Sequence, residues 1–178
     1  MVKNKRASEL IKILDLIPHP EGGFYREIHR SSQQVIQISN GDHHSAMTTI
    51  YFLLIEGKYS HWHRIGQDEI WHFYEGAPLE LIWIDKDGFK DQVIEIVGKN
   101  NQQVAVLPAG CWQAARTTGA YTLVGCCVGP GFEFKDFELL SSQIEEERNI
   151  RTKYPDLWKR VENWGEGVDK VRSAKCEV

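Results

Sequence analysis

Two imidazoles and a carboxylate stand close together in one stretch of this chain, Gly57-Lys-Tyr-Ser-His61-Trp-His63-Arg-Ile-Gly66-Gln-Asp68-Glu69-Ile-Trp71-His72-Phe73. His61 and His63 are two apart on a predicted strand, so side-chain alternation puts both rings on one face. A turn about Gly66 reverses the chain, and Glu69, Trp71 and Phe73 then share one face of the next strand. If that face is the inner one, Glu69 lies beside the histidine pair in a pocket walled by aromatic rings. Two imidazoles and a carboxylate suit a divalent Zn, Mn, Fe or Ni ion and leave coordination positions open for chemistry. The same groups suit acid–base work without a metal, with His63 as base and Glu69 orienting it. The plainer alternative is a pair of hydrogen-bonded strand histidines.

Other chemistry-bearing residues surround this stretch. Trp71, Phe73, Leu79, Leu81 and Trp83 alternate along two strands and read as core, those nearest the mouth serving as a ligand wall. Tyr51 and Tyr59 supply either a phenolic acid or a cap on the core. Arg64 and Arg116 suit an anionic substrate, although surface arginines are the commoner case. His72 and Tyr74 fall on the opposite face from Glu69. His43 and His44 sit in an expected exposed loop, His19 in a proline-flanked structural loop, and His29 on the exposed side of a strand. The glycines of Glu21-Gly-Gly23 are those of a tight turn.

The elements that must position these residues are mostly strands. A first helix, capped by Ser8, carries Leu10, Leu14 and Ile17 at helical spacing and stops at Pro18. From Phe24 to about Phe137, short runs rich in Val, Ile, Thr and aromatics alternate with turn clusters. Strands are expected near 24–30, 34–38, 46–55, 59–64, 69–74, 79–85, 91–97, 103–107, 112–116 and 121–128. Such spacing, without intervening helices, means a sandwich or barrel and not a doubly wound sheet. From about 139 to 178 the chain turns helical and highly charged, with Pro155 dividing two helices and Leu157, Trp158 and Val161 giving the second an apolar side. The expected division is an N-terminal helix over 1–18, a β domain over 19–138 and a helical extension over 139–178.

The bulk properties narrow the class. A chain of 178 residues is one domain with a sizeable core. A net charge of -4 argues against a dedicated nucleic-acid binder. The apolar run Ile50-Tyr-Phe-Leu-Leu-Ile55 is stopped by Glu56, far short of a membrane span. No signal-peptide core follows the basic N-terminus. Cys111, Cys126, Cys127 and Cys176 form no C-x-x-C pair and read as free thiols in a reducing cytoplasm. Cys126 and Cys127, being adjacent, point to opposite faces.

The chain resembles a known family. Gly57, the His61-x-His63 pair, Glu69 and Gly76 form a pattern similar to the first motif of the cupins, and Pro108-Ala-Gly110-Cys-Trp-Gln113 is similar to the second. A longer likeness, to a functionally uncharacterised subfamily of small cupins, is carried by Leu16-Ile-Pro-His-Pro-Glu21-Gly-Gly-Phe-Tyr-Arg-Glu27, by Thr49-Ile-Tyr-Phe-Leu-Leu54, by Asp68-Glu-Ile-Trp-His-Phe-Tyr74 and by Val128-Gly-Pro-Gly-Phe-Glu-Phe134. It runs from about residue 8 to 140. The resemblance implies an all-β jelly-roll barrel and a homodimer formed through an N-terminal strand, here Phe24 to Arg30. It implies a metal held by His61, His63, Glu69 and the second-motif position, where Gln113 replaces the usual histidine. A neutral amide is a harder, weaker donor than imidazole, so affinity for softer metals falls. His63 and Glu69 also stand one or two residues further apart than in the family pattern.

Three functions are therefore in play. One is a small-molecule-binding cupin acting as a metal-dependent enzyme. The second is a metal-independent isomerase like the sugar-nucleotide epimerases, with His63 as base, a tyrosine as acid and Gln113 on the substrate. The third is a non-catalytic ligand sensor or storage protein.

Overall fold

The computed structural model describes residues 4–38, 41–85 and 92–173, with side chains up to residue 164. The expected turns at Asn40 and at Asp87-Gly88, and Cys176, lie outside the described residues. Among the described residues, thirteen strands follow one helix and precede two others. They are β1 (Ile17–Pro18), β2 (Phe24–Arg30), β3 (Gln34–Ile36), β4 (His43–Ser45), β5 (Thr48–Ile55), β6 (Tyr59–Ile65) and β7 (Asp68–Gly76), then β8 (Leu79–Ile84), β9 (Gln92–Val97), β10 (Val104–Leu107), β11 (Trp112–Thr117), β12 (Tyr121–Gly129) and β13 (Phe137–Leu139). The helices are α1 (Lys5–Ile13), α2 (Ile144–Lys153) and α3 (Pro155–Ser173).

All strand pairs are antiparallel. One sheet has the order β1-β2-β5-β12-β7-β10, the other β13-β6-β11-β8-β9, and β3 pairs β4 as a separate ribbon. Period-two alternation gives each sheet one apolar face, and the two faces meet. Phe52, Leu54, Trp71 and Val124 from the first sheet pack with Leu79, Leu81 and Ala115 from the second. This is the all-β architecture expected from strand spacing, in the jelly-roll form that the cupin resemblance implies.

The outer faces are covered by the helices. Trp62, Ile82 and Trp112 pack under Ile150, Leu157 and Val161 of α2 and α3. Leu53 and Leu123 pack under Leu10 of α1. Strand β8 therefore loses its polar face: Glu80, buried at 1% exposure, lies beneath α3 and is paired by Arg116 and Arg160. Arg64 pairs with Glu138 and Glu146 and lies 4.5 Å over the Trp112 ring. Both guanidiniums are held by carboxylates of the chain itself.

Three local expectations are corrected. Asn4, not Ser8, caps α1, its side chain accepting from the Ala7 N–H. Helix α1 ends at Ile13, and Ile17 pairs Tyr25 as a strand. His44, expected in an exposed loop, is on β4 and 1% exposed, its Nδ1 3.1 Å from the Gly131 carbonyl. Pairing with β3 outweighs the polar composition of that segment.

Candidate functional site

The site begins with a β-bulge. Opposite β11, Gln113 faces His63 and Ala115 faces Ser60, so three residues of β6 span two of the partner. The extra residue reverses alternation between Ser60 and His63. Both of those point inward and are buried. Trp62 points outward beneath the helices. Burial of an indole of ~200 Å² stabilises by roughly 5 kcal/mol, enough to hold the bulge. His61 is left exposed on the outer side, with its ring 4.3 Å from the Tyr59 ring. The shared face expected for His61 and His63 does not form.

Glu21 takes the place beside His63. Its Oε2 lies 3.2 Å from His63 Nε2. Its Oε1 accepts from the Ser60 hydroxyl at 3.0 Å. The loop that delivers Glu21 depends on two glycines at positive φ, Gly22 at 108° and Gly23 at 72°. A Cβ on Gly22 would stand 2.2 Å from the Tyr59 carbonyl oxygen. That close approach is what lets the His61 N–H donate to the Glu21 carbonyl at 2.7 Å. Sequence reading saw the turn and missed the carboxylate riding on it. The one available signal was an acid placed between Pro20 and two glycines, since a turn needs no glutamate there.

The remaining groups close the site. His63 Nδ1 is 2.8 Å from the His61 carbonyl, which makes Nδ1 the protonated nitrogen and turns the Nε2 lone pair toward Glu21. The ring stacks on Phe137 at 5.6 Å. Glu69 points inward with Trp71, as expected, and accepts from Gln113 Nε2 at 2.6 Å. His19, read as structural, lies 3.4 Å from Glu21 Oε2. His19, Glu21, His63, Glu69 and Trp71, together with Phe52 and Cys126, line a cavity of about 130 Å³, with Gln113 behind Glu69. Phe73 packs into the core next to it. Tyr51 packs against α1 on the outer face, and Tyr59 lies under α2 and α3.

Burial sets the protonation. Desolvation pushes the Glu21 carboxyl up to about 8, the Ser60 hydrogen bond only partly opposing it. Glu69 is also pushed up by burial, against the pull of His63 and Gln113. Burial lowers His63 against the pull of Glu69, and lowers His19 to about 4. The Cys126 thiol is pushed up by burial and by the nearby carboxylates, so it stays protonated.

A metal fit is decided by where donor atoms point. The set His61, His63, Glu69 and Gln113 does not converge: His61 lies outside, His63 Nε2 faces Glu21, and the Gln113 N–H faces Glu69. One imidazole remains of the two expected, because the bulge turned the other away. Among the described residues, Asp42, His44 and Asp136 bring ligand atoms within 4.8 Å of one another, outside the barrel cavity. Lys135 already pairs with Asp42 there.

A family model described as cupin superfamily, DUF985, matches residues 8–140. The chain belongs to the cupin superfamily. Among curated proteins no relative matches. Among solved structures, this cupin is similar to a hypothetical protein from Leishmania major, with 35% identity over 74% of this chain and 85% of that one, at a TM-score of 0.70. A Shewanella oneidensis protein is 34% identical over 84% of this cupin and 90% of its own chain, also at 0.70. Oxalate decarboxylase from Bacillus subtilis shares the fold alone, with 15% identity over 71% of this chain and 30% of that one, at 0.54. A related study of that enzyme concerns its Mn(II) centres. Among the described residues no helix is long and apolar enough to cross a membrane.

Proposed function

We propose that this cupin binds a small carbonyl compound in its barrel and moves a proton on it, as an isomerase or epimerase does. The observation that carries this reading is the His63 Nε2–Glu21 Oε2 contact of 3.2 Å inside an apolar cavity. Such a pair holds one proton at neutral pH and has room for one more. Taking a proton from the carbon next to the carbonyl gives the pair two. Glu69, whose carboxyl burial shifts toward its neutral form, gives a proton to the carbonyl oxygen, and the substrate becomes its enol. Return of the carbon proton to the other face, with Glu69 recovering its own from the enol oxygen, gives the epimer and restores both groups. In a hydroxycarbonyl compound, return to the neighbouring carbon with Glu69 recovering the proton of the adjacent hydroxyl gives the isomer.

Placement supports the division of roles. His63 has its second nitrogen tied to the His61 carbonyl, so the ring cannot swing. Gln113 holds one oxygen of Glu69 and leaves the other for the substrate. Phe52 and Trp71 exclude water, which strengthens each hydrogen bond in the site. No step of this chemistry calls on a metal.

The test is solvent deuterium incorporation at the carbon beside the carbonyl, read by proton NMR. Wild type exchanges and His63→Ala does not. Equal rates in both would overturn the reading. A ligand that binds without exchange would make the protein a binder and not an enzyme.

A further inference from the structure

The proton-transfer reading leaves open which molecules the cavity admits, and the charges on its lining bear on that. Among the described residues lining it, Glu21, Glu27, Glu69 and Glu133 carry carboxyl groups, while Arg30 is the one basic side chain besides His19 and His63. Burial keeps both imidazoles neutral near pH 7.

Arg30 has four of its five N–H groups directed at acceptors of the chain. Its Nε and Nη2 donate to the two oxygens of Glu27 at 3.0 and 2.8 Å. Its Nη1 donates to Glu133 at 2.8 Å, and Nη2 also to the Phe132 carbonyl at 3.1 Å. The three side chains are partly exposed, so the cluster sits where the cavity meets solvent. One guanidinium between two carboxylates leaves that rim net negative. Behind it the walls are apolar, with Ile50, Val128 and Phe134 among them.

An anion entering this space loses its hydration, meets carboxyl groups and gains no free counter-charge. An uncharged carbonyl compound loses far less, and the Glu21 carboxyl, pushed up to about 8 by burial, can donate to its oxygen. A sugar nucleotide would have to bring a diphosphate to the same rim.

We infer that the cavity takes an uncharged carbonyl compound, and that the Glu27–Arg30–Glu133 cluster at its rim excludes phosphorylated and carboxylated ones. The carbonyl rests on the proton-transfer reading; the selection by charge stands on the lining alone.

The experiment is calorimetric titration of the full chain with two matched pairs: cyclohexanone against oxocyclohexanecarboxylate, and dihydroxyacetone against its phosphate. The uncharged member of a pair is expected to bind about tenfold tighter or better. Glu133→Gln leaves the Arg30–Glu27 pair neutral and narrows that gap, and the double variant E27Q/E133Q leaves Arg30 with a free charge and narrows it about tenfold. Glu133 is partly exposed at the rim, so the single variant keeps the fold, checked by circular dichroism. Arg30→Gln leaves two carboxylates unanswered at the rim and widens the gap. Anions binding wild type as tightly as their uncharged partners would overturn the inference, as would no binding by either member of both pairs. Deuterium exchange on the same samples separates the two readings. Selective binding of the ketone without exchange keeps the charge selection and removes proton transfer. Exchange into the anionic member does the reverse.

Discussion

Glu21 Oε2 and His63 Nε2 lie 3.2 Å apart, the one delivered by a loop before β2 and the other by a bulged strand in the opposite sheet. Both are buried, Glu21 at 6% and His63 at 3% exposure. Neither can carry a charge there without cost unless the other answers it.

The pH dependence of stability follows from that burial. Glu21 binds its proton up to about pH 8 when folded but only to about 4.5 when unfolded. The native state therefore holds the extra proton between those values, and stability falls as pH rises through them. His19 and His63 act the other way: lowered from 6.5 by burial, they make stability rise with pH up to 6.5. Above 6.5 the carboxyl effect stands alone. Thermal melting of wild type should fall between pH 6.5 and 8, and Glu21→Gln should flatten that fall. A parallel fall in both proteins refutes the assignment.

His61 and His63 should differ sharply. His63→Ala removes the base, and exchange should drop at least a hundredfold, a usual scale for a general base. His61→Ala touches only the outer side, and exchange should stay within about twofold of wild type. Matching losses in the two variants would put His61 back beside the cavity.

Gly22→Ala tests the loop. The new methyl meets the Tyr59 carbonyl oxygen at 2.2 Å, at a φ of 108° that side chains rarely adopt. The cost should be about 2 kcal/mol or more, read by urea unfolding. Exchange should fall with it, because the loop carries Glu21. Unchanged stability would mean that the turn has another conformation.

Gln113→Leu removes the amide that donates to Glu69 at 2.6 Å. The buried carboxyl loses a partner, at a cost of about 1–3 kcal/mol. The Glu69 carboxyl should then move further up, which carbon-13 NMR of labelled glutamate can follow. A downward move would show that Gln113 stabilises the neutral acid.

Much of the scaffold was legible from short-range patterning. Period-two alternation located β2, β5 to β12 and the inward face of β7, because each strand has one face in the core. Pro155 marked the break between α2 and α3, since it lacks an N–H to continue a helix. The glycines at 22 and 23 marked a turn. Short edge pairings were not legible. β1, β4 and β13 hold two or three residues each, too few to show a period.

The candidate site divides along the same line. Local chemistry alone determined that Glu69 and Trp71 share one face, because alternation on unbroken strand is a property of the chain itself. Only the assembled sheets decided that His61 leaves and Glu21 enters. A bulge is chosen by cross-strand pairing with Gln113 and Ala115 and by the burial of Trp62 under helices far away in the chain. The position of Glu21 depends on a backbone contact with β6 that no local pattern encodes.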